Sequence, residues 1–130
     1  MDERKRYDEG MKTRRSVLGD AHVDRTLKNR TKFNEPFQEL ITRYAWGEIW
    51  NRPGLPKKTR SLLTLAMLVA LNRGDEFRMH VKTALSLGVS RDEIQELLLQ
   101  AAIYCGVPAA NSAVHNAEEV FDALDSVKKK

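Results

Sequence analysis

From Asn34 onward, Phe37, Leu40, Ile41, Tyr44, Ala45, Glu48 and Ile49 recur at three- and four-residue intervals. That spacing predicts a helix with Asn34 as its N-cap and Pro36 in its first turn, stopped by Asn51-Arg-Pro-Gly54. A second helix is predicted from near Pro56 through Leu62, Leu65, Ala66, Leu68 and Val69 to Asn72. It is apolar on nearly every side after Arg60, which predicts a central, buried position. Gly74 breaks the chain after Asn72 or caps the next helix, which carries His80 and ends at Gly88. Ser90 followed by Glu93 is a capping box that opens a helix through Ile94, Leu97, Leu98 and Ala101 to about Tyr104. Gly106 and Pro108 separate it from a last helix, Ala109 to about Asp125. There Val114, Ala117, Val120, Phe121 and Leu124 point inward, and the Lys128 to Lys130 tail suits the C-terminal end. Before Asn34 the chain is more polar, with a charged segment over residues 3–16, a stop at Gly19 and a short helix over 21–31. No stretch alternates as a strand would. The expected fold is an all-α bundle of about six helices in one domain, residues 1–130, with a helical core over 34–128 and an N-terminal arm over 1–33.

A chain of 130 residues can bury a real core, yet is small enough for a neighbouring subunit to complete a pocket. The net charge is +4, with basic residues crowded from Arg4 to Lys32 but interleaved with acids, and no nucleic-acid-binding motif accompanies them. A basic balance instead suits a small polyanionic ligand, since arginine forks hold carboxylates bidentately. The single cysteine, Cys105, excludes an intrachain disulfide and a redox thiol pair and suits a reducing cytoplasm. No Cys/His spacing suggests a metal, and Leu62 to Leu71 is too short and interrupted to span a bilayer.

Arg73, Glu76 and His80 fall near one meridian of a helix at about 100° per residue, together with Phe77 and Ala84, while Arg78 and Lys82 face away. An acid, a base and a cation placed against a core describe a small polar pocket, because each buried charge must find a partner or a ligand. An i,i+4 Glu76–His80 pair at a solvated helix start is the simpler alternative.

The runs Tyr44-Ala-Trp-Gly-Glu-Ile-Trp-Asn-Arg-Pro-Gly-Leu-Pro56, Thr59-Arg-Ser-Leu-Leu-Thr-Leu-Ala-Met-Leu68, Glu76-Phe-Arg-Met-His80 and Tyr104-Cys-Gly-Val-Pro-Ala-Ala110 resemble the carboxymuconolactone decarboxylase family. Arg14-Arg-Ser-Val-Leu-Gly19 and His22-Val23 resemble it too, so the likeness covers roughly residues 10–125. It implies an alkylhydroperoxidase-like fold, a homo-oligomer (a hexamer), and decarboxylation of a carboxylated unsaturated lactone to an enol-lactone in protocatechuate catabolism by the β-ketoadipate pathway. Peroxidase members of the superfamily carry a Cys-x-x-Cys pair before the histidine. Here Arg73 and Glu76 stand at those two positions, so thiol chemistry has no place at that site.

The implied substrate is its own electron sink, because electrons left by CO₂ delocalise through the ring double bond onto the lactone carbonyl; no cofactor is needed. The protein must supply a donor at that oxygen, a proton for the α carbon, and cations for the carboxylates. His80 is the first choice for donor, oriented by Glu76. Glu48, between two tryptophans, is the second acid or base, with an exposed i,i+4 pair to Arg52 as its alternative. Arg73, Arg60 and Arg52 are candidate carboxylate clamps in that order, each equally readable as a surface or subunit-contact cation. Trp46, Trp50 and Tyr44 wall a pocket or an interface. Two other functions fit the same residues: decarboxylation of a different unsaturated acid, and non-catalytic binding of a small carboxylate.

Overall fold

The structure is a computed structural model and describes residues 2–128, of Lys128 only the backbone. The rest of the lysine tail assigned to the last helix end lies outside the described residues. Among these residues the fold is all-α: α1 (Glu3–Leu18), α2 (Asp20–Lys28), α3 (Glu35–Leu40) continuing into a π-helical segment (Ile41–Ile49), α4 (Lys57–Ala70), α5 (Gly74–Ser86), α6 (Arg91–Tyr104) and α7 (Val107–Lys128). The chain divides into two compact units, Met1–Pro56 and Lys57–Lys130.

In the first unit, Asp2 caps α1 by accepting from the Lys5 amide at 2.8 Å, and Gly19, at φ 90°, ends it. The buried face of α1 is Gly10, Thr13, Arg14 and Val17, at helical spacing but with a single large apolar side chain among the four. Such a face cannot be held mainly by apolar burial. It is held by close approach to the π segment and by polar bonds to it and its flanks: Thr13 Oγ1 donates to Asn51 Oδ1, just past the segment, at 2.6 Å, and Arg14 donates to Thr42 in it and to Gln38 of α3. A Cβ on Gly10 would lie 1.9 Å from the Thr42 carbonyl oxygen, and one on Gly47 2.6 Å from that of Arg6. Only glycine permits this crossing at both positions.

The predicted helix from Asn34 is therefore two-part. After Leu40 its hydrogen bonds shift to the wider i→i−5 register, seen where the Trp50 amide donates to the Ala45 carbonyl at 2.9 Å. Asn34 occupies the N-cap position, but its side chain does not cap the helix; Oδ1 accepts from the Thr31 amide at 2.8 Å, closing the preceding turn.

The second unit is conventional by comparison. Leu65 and Val69 of α4, Phe77, Val81 and Ala84 of α5, Ile94 and Leu98 of α6, and Ala113, Ala117 and Val120 of α7 form one apolar core. The Ser90/Glu93 capping box forms as predicted, with both reciprocal bonds at 3.0 Å. Two expectations need correction. Helix α4 is not buried all round: Ser61, Leu65 and Val69 line its buried face, while Leu63, Met67 and Leu71 are exposed. In α7 the inward position is Ala113 rather than Val114, which is 38% exposed: Ala113, Ala117 and Val120 recur at four- and three-residue spacing on the face that joins the core.

Candidate active site

The first unit gathers aromatic and charged groups on the π segment. Trp46 and Trp50, four residues apart, are both buried and stack on each other with centroids 5.0 Å apart and planes at 29°. Glu48, expected between the tryptophans, does not share their burial: its carboxylate turns to the Arg6 guanidinium, which donates to Oε2, and lies 3.9 Å from Arg52. Arg6 also meets Glu3 at 3.4 Å and spreads over the Tyr44 ring at 5.2 Å. The hydrogen bond to Glu48 pushes the Arg6 guanidinium above its ordinary range, outweighing burial, which lowers it. Tyr44 donates its hydroxyl to Glu3 at 3.0 Å, and that bond raises its pKa.

Sequence reasoning missed Arg6. Its signal was the spacing Arg6, Gly10, Thr13, Arg14, Val17, one face of a helix otherwise read as merely charged. What no spacing reveals is a partner 42 residues away.

In the second unit, α5 carries the predicted stripe. Phe77 and Ala84 are buried as expected, and His80 is half-buried with Nδ1 sealed from solvent. Arg73 and Glu76 are exposed, so the stripe passes from solvent at the helix start to the core within two turns. Arg73 is the N-cap residue of α5, and its amide donates to the Leu68 carbonyl at 2.9 Å. With Asn72, Phe77 and Asn116 it lines a recess of about 10 Å³, space for about one water and not for a lactone. Arg78 faces away, as read from the sequence, and pairs with Asp75 at 2.9 Å and Glu119 at 3.1 Å. Arg60 is half-buried on α4 with Nε sealed from solvent.

A separate open groove of about 980 Å³ runs between α4 and α6, lined by Leu62, Leu63, Ala66, Leu97, Tyr104 and Cys105, with Asp92, Glu93 and Glu96 also on its wall. None of the predicted site residues lines it. Its size would admit a small molecule, but an apolar trough offering only carboxylates as charged groups is wrong for an anionic substrate. Among the described residues no group of three or more His, Cys, Asp or Glu is placed to hold a metal ion, and no helix is long and apolar enough to cross a membrane.

Residues 35–119 match the model of the carboxymuconolactone decarboxylase family. The whole chain aligns at 50% identity over 130 residues with a 4-carboxymuconolactone decarboxylase of Acinetobacter baylyi, covering 97% of that protein. A nitrosuccinic acid decarboxylase of Metarhizium robertsii is 46% identical over 111 residues, 85% of this chain and 78% of the relative. A 48-residue sequence named 4-carboxymuconolactone decarboxylase from Pseudomonas putida is matched along its full length at 62% identity, over 37% of this chain.

Proposed function

We propose that this chain, which belongs to the carboxymuconolactone decarboxylase family, removes CO₂ from 4-carboxymuconolactone to give 3-oxoadipate enol-lactone, a step of protocatechuate breakdown by the β-ketoadipate route. The observation that carries this reading is the 50% identity to a 4-carboxymuconolactone decarboxylase over the full 130 residues. It is joined by the residues at the superfamily's thiol positions: Arg73 and Glu76 cannot cycle electrons but can bind and polarise an acid.

The chemistry is set by the substrate. The bond from the γ carbon to its carboxylate breaks, CO₂ leaves without the electron pair, and the pair moves through the ring double bond to the lactone carbonyl oxygen. One proton delivered to the α carbon completes the enol-lactone. His80 donates at the developing negative charge. Its Nδ1 is sealed from solvent. Glu76, one turn earlier on α5, sets the electrostatics of the ring, and Glu48, held by Arg6, is the second acid–base group. Arg73 and Arg60 in the second unit and Arg52 in the first are the cations offered to carboxylates, and Tyr44, Trp46 and Trp50 are the aromatic wall of the first unit.

A second reading is favoured by one finding, the identity to a nitrosuccinic acid decarboxylase over 85% of the chain. Nitrosuccinic acid is also a dicarboxylic acid whose departing CO₂ leaves electrons beside an acceptor, here a nitro group. Both substrates thus ask for the same protein parts, and pocket shape decides between them. The enzyme works in the cytoplasm as a homo-oligomer, a hexamer. The exposed Leu63 and Met67 of α4, Leu71 just past its end, and Leu99 and Ile103 of α6 support self-association, since exposed apolar side chains favour burial against a partner.

Loss of ultraviolet absorbance with freshly made carboxymuconolactone, run beside nitrosuccinate, separates the readings. Turnover of the lactone alone is expected, turnover of nitrosuccinate alone selects the second reading, and turnover of neither leaves a carboxylate-binding protein. His80→Ala should fold and lose about 10²–10⁴-fold in kcat. A fully active His80→Ala enzyme would remove His80 from the mechanism.

A further inference from the structure

Arginines of the first unit that take part in ion pairs face acids: Arg15 meets Asp20 and Asp24 at 3.1 and 2.9 Å, Arg43 meets Glu39 at 3.6 Å, and Arg6 meets Glu48. Arg14 is different. It is only 4% exposed, yet its partners are neutral: Nη1 donates to Thr42 Oγ1 at 3.1 Å and Nη2 to Gln38 Oε1 at 3.0 Å. Its Nε is buried and donates to nothing among the described residues. A buried guanidinium with no counter-ion and an idle donor is an expensive arrangement unless something supplies the missing charge. Burial accordingly lowers the Arg14 pKa, opposed only in part by Tyr7.

We propose that Arg14 is a substrate-binding residue that receives one carboxylate of the dianionic substrate, with Gln38 holding the place of that carboxylate until substrate arrives. This rests on the decarboxylase reading and names a clamp that reading lacks. Thr42 fixes one nitrogen of the planar fork, which orients the rest. Nε and Nη2 form the adjacent edge of the guanidinium, the edge that accepts a carboxylate bidentately. Gln38 is half-buried on α3, so the amide occupying Nη2 sits at the approachable end of an otherwise covered group. Entry of a carboxylate exchanges a neutral acceptor for a charged one and gives Nε its partner. His22 lies near the same cation: burial first, then the charges of Arg25 and Arg14, lower its pKa.

Two substitutions test this. Gln38→Glu installs a permanent carboxylate in the substrate's place. It should raise the melting temperature, because the buried charge is now paired, and raise KM for carboxymuconolactone about tenfold while leaving kcat within about twofold. Arg14→Lys should raise KM at least as much, since a single ammonium cannot reproduce the fork. A Gln38→Glu protein that is stabilised but keeps its KM would show that Arg14 only braces α1 against the π segment, and would overturn the proposal. Should the wild-type chain fail to turn over carboxymuconolactone, the decarboxylase reading has failed by itself. Calorimetric titration of wild type and Gln38→Glu with succinate then still decides the site: weaker binding by the variant supports it, and equal binding or none by wild type removes it.

Discussion

The two units solve the same problem, packing helices, with opposite materials. The second, Lys57–Lys130, uses a contiguous apolar core in which Leu65, Phe77, Val81 and Ile94 are all but inaccessible to water. The first, Met1–Pro56, seats α1 on the π segment through two glycines, a buried arginine and a threonine–asparagine bond, with ion pairs and cation–π contacts around Arg6 and Arg43. Apolar burial is non-directional and tolerates small shifts; backbone contact at Gly10 and hydrogen bonds to Arg14 do not. A unit held by such directional contacts restricts where its charged side chains can lie, as the proposed binding of a dianionic substrate requires. The stacked tryptophans, the Glu48–Arg6 pair and the unneutralised Arg14 all lie in that unit.

The largest expected effect lies in the apolar unit. Phe77→Ala leaves a cavity in its core and should cost about 3–5 kcal/mol, seen as an earlier loss of far-ultraviolet helical signal on heating. Gly10→Ala sets two effects against each other. Alanine in a helix interior gains about 1 kcal/mol over glycine, but the new Cβ meets a backbone oxygen, which no side-chain rotation can relieve. Overpacking costs of about 1–3 kcal/mol, or more against backbone, decide the sign, so the variant should be destabilised. Both tryptophans of the chain belong to the first unit, so their fluorescence reads that unit alone. Gly10→Ala should shift the fluorescence midpoint, whereas Gly54→Ala, with open space around the added Cβ, should leave it in place. A Gly10→Ala protein as stable as wild type would dissolve the contrast between the units.

How far this contrast was legible in the sequence depends on the range of the interaction. The box at Ser90 and Glu93 is a contact between residues three apart, and it was read correctly because nothing distant competes with it. The helical core of the second unit emerged from period 3.6 for the same reason. The π register after Leu40 left no trace in the apolar pattern, since it shifts backbone bonds by one residue and lies where α1 crosses at Gly10 and Gly47. Apolar residues all around α4 were read as complete burial, although periodicity reports which faces are apolar and not which are covered. Of the candidate site, His80 could be placed on a core-facing stripe, but Glu48's partner Arg6 and the neutral partners of Arg14 are facts of tertiary structure. Distances of 42, 28 and 24 residues along the chain separate the bonded pairs.

A smaller effect separates the units by pH. His22, in the first unit, has its pKa lowered from about 6.5, chiefly by burial. Because the unfolded chain binds that proton more readily, stability rises with pH across the interval between the lowered value and 6.5, and is lost as pH falls through it. Glu93, in the second unit, has its pKa lowered from about 4.5, first by the Ser90 amide and then by Lys58 at 3.2 Å. Its contribution is complete above 4.5 and disappears as pH falls through the folded value, a window that opens at a lower pH than that of His22. Melting temperatures measured from pH 7 to 3 should therefore fall first in the fluorescence signal, near and just below pH 6.5. His22→Gln should remove that first decline and spare the later one. Glu93→Gln should do the reverse, losing the carboxylate while an amide retains part of the cap. Should His22→Gln leave the decline below pH 6.5 unchanged, other groups govern the acid response of the first unit, and its polar packing is less tightly coupled to charge than the contrast with the apolar unit requires.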